Sequence, residues 1–241
     1  MYKKIYGNYS LNMPNLLFYL KVFYLLVLKK IVPASEINSD YNHLAPTYDN
    51  YFTSLVAPHS EELVKRLEIM DGSSVLDLAC GTGTLTCEIE KYSGASVNIT
   101  AVDASYNMIK VAKGKVCTNV NFLCADMLKT LPMIPDNTFD FVTCGWAIGY
   151  SYPPRLLKSI KRILKNQAKV GIIENRQDTL MPLRETGIKV MKRYGRDIRY
   201  LMDLPLRLPK NKAHLEKLFI RAGLKVVDIW DGEVMFNFKD G

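Results

Sequence analysis

Val75-Leu-Asp-Leu-Ala-Cys-Gly-Thr-Gly-Thr84 is the stretch that decides the fold. Its apolar start predicts a buried strand, and Gly81 and Gly83 predict a tight turn whose backbone can approach a ligand where a Cβ would collide. A second apolar strand, Val97–Asp103, ends in a carboxylate about twenty residues beyond the glycines, where it can accept hydrogen bonds from a ribose diol. Together the two segments predict a nucleoside-binding crevice.

The glycine turn argues against a nicotinamide dinucleotide. A dehydrogenase would carry the same acidic residue, but its G-x-G-x-x-G fingerprint requires a third glycine. Position 86 is Thr, so this interpretation is weakened.

Four motifs in chain order resemble those of the class I S-adenosylmethionine-dependent methyltransferases. The family's first motif, [D/E]-x-G-x-G-x-G, is matched by Asp77–Gly83, with Ala79 in place of the first glycine. Its second, D-x-S-x-x-M, is matched by Asp103–Met108. Phe122–Met127 supplies the acid after the third strand, and Pro135–Trp146 is similar to the fourth strand with its upstream turn.

The resemblance covers roughly residues 41 to 239. It implies an α/β, Rossmann-like, seven-stranded and mostly parallel sheet with helices on both faces and a C-terminal antiparallel hairpin around Asp231-Gly232. The alternation of elements along the chain also favours a parallel sheet covered on both faces. Strands are predicted near 74–78, 97–103, 120–124, 139–145 and 169–174, and helices near 84–92, 105–114 and 154–165.

The resemblance also implies a set of cofactor contacts for S-adenosyl-L-methionine and its product S-adenosyl-L-homocysteine. Asp77 would orient the amino end of the methionine moiety, Asp103 would hold the ribose hydroxyls, Met108 would lie against the adenine, and Asp126 would accept from the adenine amino group. The glycines would let the backbone pass under the cofactor. The other implied contacts are Tyr41, Tyr48, Ala79, Ala104, Ala125, Met127 and Cys144.

Ser39–Phe52 is similar to the Y-x-x-x-A-x-x-Y-D segment that precedes the core in quinone and phosphoethanolamine methyltransferases. In those relatives the segment caps the cofactor, and its tyrosines touch the methionine carboxylate or the substrate. Tyr48 is a catalytic candidate and Tyr51 a substrate-binding one, with aromatic packing as the alternative for both. His43 is the candidate general base, against the alternative of a structural histidine.

Three further residues follow the ends of the fourth and fifth strands, where the substrates of this family bind. They are Trp146, Tyr150 and Glu174, and they are candidates for the wall of the acceptor pocket. Methyl transfer mainly requires that the nucleophile be positioned and water excluded, and an aromatic wall suits a sulfonium cation.

Positive charge is concentrated in one part of the sequence. Residues 152–225 contain 19 Lys and Arg against 6 Asp and Glu, in a chain whose net charge is +8. Basic residues recur at helical steps at Lys189, Lys192, Arg193, Arg196 and Arg199. The alternatives are a solvated helix face or attraction to an anionic substrate, a membrane surface or nucleic acid. Nucleic-acid methylation is disfavoured, because Cys144-Gly-Trp-Ala stands where base methyltransferases carry [D/N/S]-P-P-[Y/F/W].

The N-terminal segment 14–32 contains an apolar run, Leu16–Leu28, that is interrupted by Lys21. The run is shorter than the roughly 20 residues of a membrane-spanning helix. It predicts a helix that packs on the catalytic domain or on a second copy, with an interfacial helix in lipid headgroups as the alternative. The expected organisation is an extension, 1–38, and a methyltransferase domain, 39–241, in which 39–60 is the capping segment and 176–210 a basic insertion.

Five cysteines without C-x-x-C spacing indicate a reduced compartment and no metal site. The sequence therefore predicts a cytoplasmic enzyme that moves a methyl group to O, N or C of a small, anionic or amphiphilic metabolite. One alternative is a lipid or quinone methyltransferase, peripheral on the inner membrane face through residues 14–32. The other is a regulatory protein that binds the cofactor without catalysis.

Overall fold

The computed structural model describes residues 13–94, 96–116, 120–194, 197–202 and 204–234. The chain divides into two units. Unit 1 comprises Met1–Pro33 and Asp178–Asp203, and unit 2 comprises Ala34–Gln177 and Leu204–Gly241. The division differs from the predicted boundary at residue 38, because a helix of unit 2 begins at Ala34.

A parallel sheet forms the centre of unit 2. The strands described are β1 Ser74–Leu78, β2 Asn98–Asp103, β3 Asn121–Cys124, β4 Phe139–Gly145 and β5 Leu164–Ile173. Their order in the sheet is β3-β2-β1-β4-β5, and every pairing is parallel. The chain therefore reverses its direction of winding between β1 and β4, and in such sheets ligands bind in the crevice outside the carboxyl ends of the strands at that point.

Helices cover both faces of this sheet, as predicted. Alternate residues of β1 enter two separate apolar cores, Leu76 and Leu78 in one and Val75 in the other. The helices and helical turns of unit 2 are α2 Ala34–Tyr48, a π-helical turn Asp49–Thr53, α3 Ser54–Leu67, α4 Thr84–Ser93, α5 Tyr106–Lys113, α6 Met127–Thr130, 3₁₀ turns Leu131–Met133 and Ile148–Tyr150, α7 Pro153–Ile163, α9 Leu204–Arg207 and α10 Lys212–Arg221. Residues of α7 and α10 fill the first core, and residues of α3 and α4 fill the second.

The described residues contain five strands rather than the predicted seven. Residues 224–234 form neither helix nor strand, and 235–238, the rest of the predicted hairpin, lie outside the described residues. Side chains hold this segment against α3: the Arg66 guanidinium is 4.2 Å from the Trp230 ring centroid and 2.6 Å from Asp228. Contacts of this kind keep the segment in place without sheet pairing.

The described part of unit 1 contains α1 Met13–Val27 and α8 Met181–Arg193, which pack together. Beyond them, Ile31 and Leu201 form an isolated parallel bridge. The apolar and the basic segments of the sequence thus belong to one unit. Among the helices that the structure describes, none is both long enough and apolar enough to cross a membrane.

Candidate active site

The glycine turn and the acid after β2 are joined directly. Asp103 accepts hydrogen bonds from the Gly81 amide at 2.8 Å and from the Ser105 amide at 2.8 Å, one on each carboxylate oxygen. Burial raises the pKa of Asp103, and the two amides act in the opposite direction. Each oxygen keeps a second lone pair for a ribose hydroxyl.

The two glycines serve different purposes. Gly81 has φ +56°, and a Cβ built on it would meet no atom within 4 Å, so its missing side chain faces open space. Gly83 has φ +86°, and a Cβ there would lie 3.0 Å from the Cβ of Ala112 in α5. Gly81 therefore leaves room for a ligand, whereas Gly83 allows α5 to pack closely.

Asp77 is fully buried and joins three elements. Its carboxylate accepts from the Thr86 hydroxyl of α4 at 2.7 Å and from the Thr143 hydroxyl of β4 at 2.8 Å. Burial raises its pKa to about 6 despite these two hydrogen bonds. Neither threonine was predicted from the sequence to contact Asp77, and the contact of Asp77 with the methionine amino group stays a prediction.

The capping segment is tied to the crevice by two residues that sequence reasoning missed. Asn42 accepts from the Ser105 hydroxyl at 2.7 Å and from the Asn107 amide at 3.1 Å, which fixes α2 to the start of α5. Asp49 accepts from the Thr82 hydroxyl of the glycine turn at 2.7 Å and pairs with Lys115 at 2.5 Å. Asp49 is the last residue of the Y-x-x-x-A-x-x-Y-D pattern, so its position there was an available signal, and for Asn42 there was none.

Tyr41, Tyr48 and Tyr150 form an aromatic group beside this crevice. The hydroxyls of Tyr41 and Tyr150 are 2.6 Å apart, and their rings meet edge to face at 5.9 Å. The ring of Tyr41 lies 6.4 Å from that of Tyr48. Burial and, after it, the neighbouring Tyr150, with a smaller contribution from Asp103, raise the pKa of Tyr48 to about 12 and that of Tyr41 further. These phenols are therefore hydrogen-bond donors at neutral pH rather than bases.

Glu174 lies directly after β5, next to this aromatic group. Its carboxylate accepts from the Gly149 amide at 3.1 Å and from its neighbouring Asn175 amide at 2.8 Å. Burial raises the pKa of Glu174 to about 7, and its negative charge helps to raise the pKa of Tyr150. A carboxylate with a pKa near neutrality is suited to take up a proton.

Two non-glycine residues at the strand ends have left-handed backbone conformations. Ala79 has φ 55° and Trp146 has φ 51°. The amide of Trp146 donates to the Ile173 carbonyl at 2.7 Å, so a backbone hydrogen bond holds this conformation between β4 and β5. Such strain often accompanies functional sites. Ala79 replaces the family's first glycine at a position where the backbone favours glycine.

The remaining predicted residues fall into two groups, and their roles stay predictions. His43 and Tyr51 are exposed, and the His43 ring bonds to the Ser39 carbonyl at 2.8 Å one turn earlier, away from the aromatic group. The others lie at or near the carboxyl ends of the strands: Met108 and Cys144 are buried, Ala125 and Met127 are half-buried, Asp126 caps α6, and Ala104 is exposed.

These residues fit S-adenosylmethionine. The space over Gly81 and the free lone pairs of Asp103 suit the methionine and ribose portions of a nucleoside, and the tyrosine group suits a sulfonium cation. When bound, the cofactor supplies an electrophilic methyl group.

Comparison with known proteins agrees with this geometry. Residues 75–167 match a family model described as a methyltransferase domain. The chain is 34% identical over 158 residues to the demethylmenaquinone methyltransferase of Lactobacillus johnsonii, covering 61% of this chain and 64% of the relative. It is 30% identical over 178 residues to the demethylmenaquinone methyltransferase of Staphylococcus aureus, covering 68% and 72%.

Solved structures show the same fold. An S-adenosylmethionine-dependent methyltransferase from Aquifex aeolicus aligns with a TM-score of 0.55 at 22% identity, over 79% of this chain and 90% of that chain. A chain from the Haloferax volcanii complex between the Trm112 methyltransferase activator and a methyltransferase aligns with a TM-score of 0.60 at 20% identity, over 78% and 77%.

The chain belongs to the class I S-adenosylmethionine-dependent methyltransferases. The class of enzyme and the cofactor predicted from the sequence are thereby confirmed, and the regulatory alternative is not favoured.

Proposed function

We propose that this methyltransferase acts on a hydroxylated aromatic ring of the quinol class, with Glu174 as the proton acceptor. The observation that carries the proposal is the group formed by Glu174, Tyr150 and Tyr41. The half-buried Glu174 carboxylate, whose pKa is raised to about 7, accepts from the Gly149 amide, and the phenol of the next residue, Tyr150, bonds to that of Tyr41. The names of the relatives, demethylmenaquinone methyltransferases, support a quinone-type acceptor.

The oxidation state of the acceptor follows from general chemistry. The ring must donate an electron pair to an electrophilic methyl group, and an oxidised quinone is itself an electrophile. The reduced, dihydroxylated ring is electron-rich and meets this requirement. On methyl transfer the acceptor ring gains a methyl group and must lose one proton. A nearby base is therefore required to take up that proton.

The residues divide this work between them. Tyr41 and Tyr150 share one short hydrogen bond, so a ring hydroxyl of the acceptor can join the pair and be oriented by it. The Glu174 carboxylate accepts the proton, and two backbone amides hold it in place. Tyr48 and Trp146 contribute aromatic surface that excludes water.

The test is transfer of a labelled methyl group from S-adenosylmethionine to a short-chain demethylated naphthoquinol, with the oxidised quinone and phosphoethanolamine as competing acceptors. We expect label only in the quinol product, and Tyr150→Phe should lower this transfer. Labelled phosphoethanolamine without labelled quinol would overturn the proposed acceptor and leave the enzyme class intact.

A further inference from the structure

Nearly all of the net charge of the chain belongs to unit 1. The sequence of Met1–Pro33 and Asp178–Asp203 contains eleven Lys and Arg against four Asp and Glu, whereas unit 2 contains twenty-one against twenty. The net charge is therefore +7 in unit 1 and +1 in unit 2. A charge this concentrated creates an attractive field for an anionic partner at one part of the molecule.

Helix α1 turns an apolar face to solvent. Leu16, Leu20, Phe23 and Val27 recur at steps of four, three and four residues, so they share one face of the helix. Their side chains are 36%, 55%, 66% and 62% exposed. Of the described α1 side chains only Phe18 and Leu25, on the opposite face, are buried. This apolar face of the helix is thus largely open to solvent.

Helix α8 also exposes apolar side chains. None of its residues is buried, and the exposed side chains include Leu183, Ile188, Val190 and Met191. Phe18 and Leu25 are the only buried residues among the described part of unit 1. Two helices of 15 and 13 residues are marginal without a packed face, so this unit has apolar surface but almost no core of its own.

Cationic groups converge on a groove in the same unit. The groove has a volume of about 460 Å³ and is lined by Lys21, Lys30 and Arg199 with one carboxylate, Asp197, and by Tyr24 and Tyr200 among others. Lysine stems can lie along apolar surface while their ammonium groups reach phosphates, and tyrosines are common where apolar and polar phases meet.

We propose that unit 1 docks on the surface of an anionic lipid bilayer, with the apolar faces of α1 and α8 in the headgroup and acyl boundary and their basic residues against lipid phosphates. This inference does not depend on the identity of the methyl acceptor. Charge decides between occupants: a second copy would bring two units of +7 together, and nucleic acid would leave the leucines and valines of α1 without an apolar partner. An interfacial helix supported by a basic patch uses both features.

The experiment is flotation of the full chain with vesicles of phosphatidylcholine alone and with vesicles that also contain phosphatidylglycerol, at low and high salt. We expect binding to the anionic vesicles that weakens with salt. The charge variant Lys189→Gln/Arg193→Gln/Arg199→Gln should weaken it by on the order of a hundredfold, at roughly fivefold per cation. The apolar variant Leu20→Gln/Phe23→Gln should weaken it by roughly tenfold or more.

The matched control removes the same number of exposed cations from unit 2, as Lys158→Gln/Lys161→Gln/Lys217→Gln. It should bind vesicles nearly as the natural sequence does. Far-UV circular dichroism and the affinity for S-adenosylhomocysteine should be unchanged in all variants, because every substituted side chain is exposed.

Three results would overturn the proposal. One is failure to float with anionic vesicles, another is equal binding to neutral vesicles, and the third is an equal loss in the unit 2 control. If the protein does not bind vesicles, and light scattering shows a dimer that Leu20→Gln/Phe23→Gln dissociates, the apolar face of α1 contacts a second copy. Binding to duplex DNA in place of vesicles would assign it to nucleic acid.

Discussion

Unit 2 buries its apolar side chains in two cores on either side of a parallel sheet, and its charges nearly cancel. Among its described residues, unit 1 exposes most of the apolar side chains, and its sequence carries seven of the eight net positive charges. Apolar surface that is removed from water stabilises a fold, whereas apolar surface left in water is available for a partner. The comparison therefore separates residues that act through the fold and the chemistry from residues that act through an interface.

The largest expected effect is on catalysis in unit 2. Glu174→Gln removes the proposed proton acceptor and should lower kcat about 10²–10⁴-fold, the range of general-base contributions. Because the pKa of Glu174 is raised to about 7, it is protonated and inactive below that pH, so the natural enzyme should gain rate as pH rises through 7. The variant should show no such rise. The test is to measure steady-state rates of both enzymes with a water-soluble quinol from about pH 5.5 to 8.5, a range that brackets the pKa of Glu174.

Lys189→Gln, in unit 1, is the control for the Glu174 variant and should leave the rate and its pH profile unchanged. An equally steep profile in Glu174→Gln would mean that another group takes the proton.

The next effect contrasts two leucines. Leu157 is fully buried in unit 2, and Leu157→Ala should lower the free energy of unfolding by about 2–5 kcal/mol. Leu20 is 55% exposed in unit 1, and Leu20→Ala should change the free energy of unfolding by less than about 0.5 kcal/mol. Urea unfolding of the two full-length variants measures both values. Similar losses would show that the α1 face is covered within the protein.

A smaller effect concerns cofactor binding. Asp103→Ala removes the predicted acceptor for the ribose hydroxyls and should weaken S-adenosylhomocysteine binding roughly ten- to a hundredfold, since a charge-assisted hydrogen bond contributes about 1.5–3 kcal/mol. Calorimetric titration provides the measurement, and Glu216→Ala, an exposed carboxylate of α10, is the control. Unchanged affinity in Asp103→Ala would place the ribose elsewhere.

The smallest effect is backbone strain in the glycine turn. Ala79 has φ 55°, so Ala79→Gly should raise the free energy of unfolding by about 1 kcal/mol. Ala222→Gly makes the same chemical change at φ −84°, at the end of α10, and should lower it by about 0.5–1 kcal/mol. Thermal unfolding would reveal the opposite signs, and a stability loss in both would show that Ala79 is not strained.

The sequence predicted the first four strands of unit 2 closely, whereas the fifth, expected at 169–174 after a helix that ends at 165, begins already at Leu164. The strand expected at 74–78 was found at the same residues, and the one expected at 97–103 begins one residue later, because continuous apolar runs between turns specify buried parallel strands. The C-terminal segment was harder, since Asp228 and Trp230 have β-rich neighbours yet pair with Arg66 of α3. A contact between residues so far apart in the chain leaves no local signal.

Distance along the chain also explains why one part of the candidate site could be predicted and another could not. The motifs alone located the glycine turn and Asp103, because their chemistry depends on spacing along one βα unit. The hydrogen bonds of Asn42 and Asp49, and the burial that raises the pKa of Glu174, depend on residues brought together from distant elements. The sequence favoured His43 over Glu174 as the candidate general base because a sequence does not show that the His43 side chain is exposed.

The sequence by itself determined the class of enzyme, its cofactor and the approximate positions of five strands along the chain, since local periodicity and motif spacing encode them. It also contained both an apolar and a basic segment, but about 150 residues separate them, and only the tertiary structure brought α1 and α8 into one unit. Burial and proximity are properties of the folded chain. They raise the pKa of the Glu174 carboxylate to about 7 and decide which apolar residues remain in contact with water.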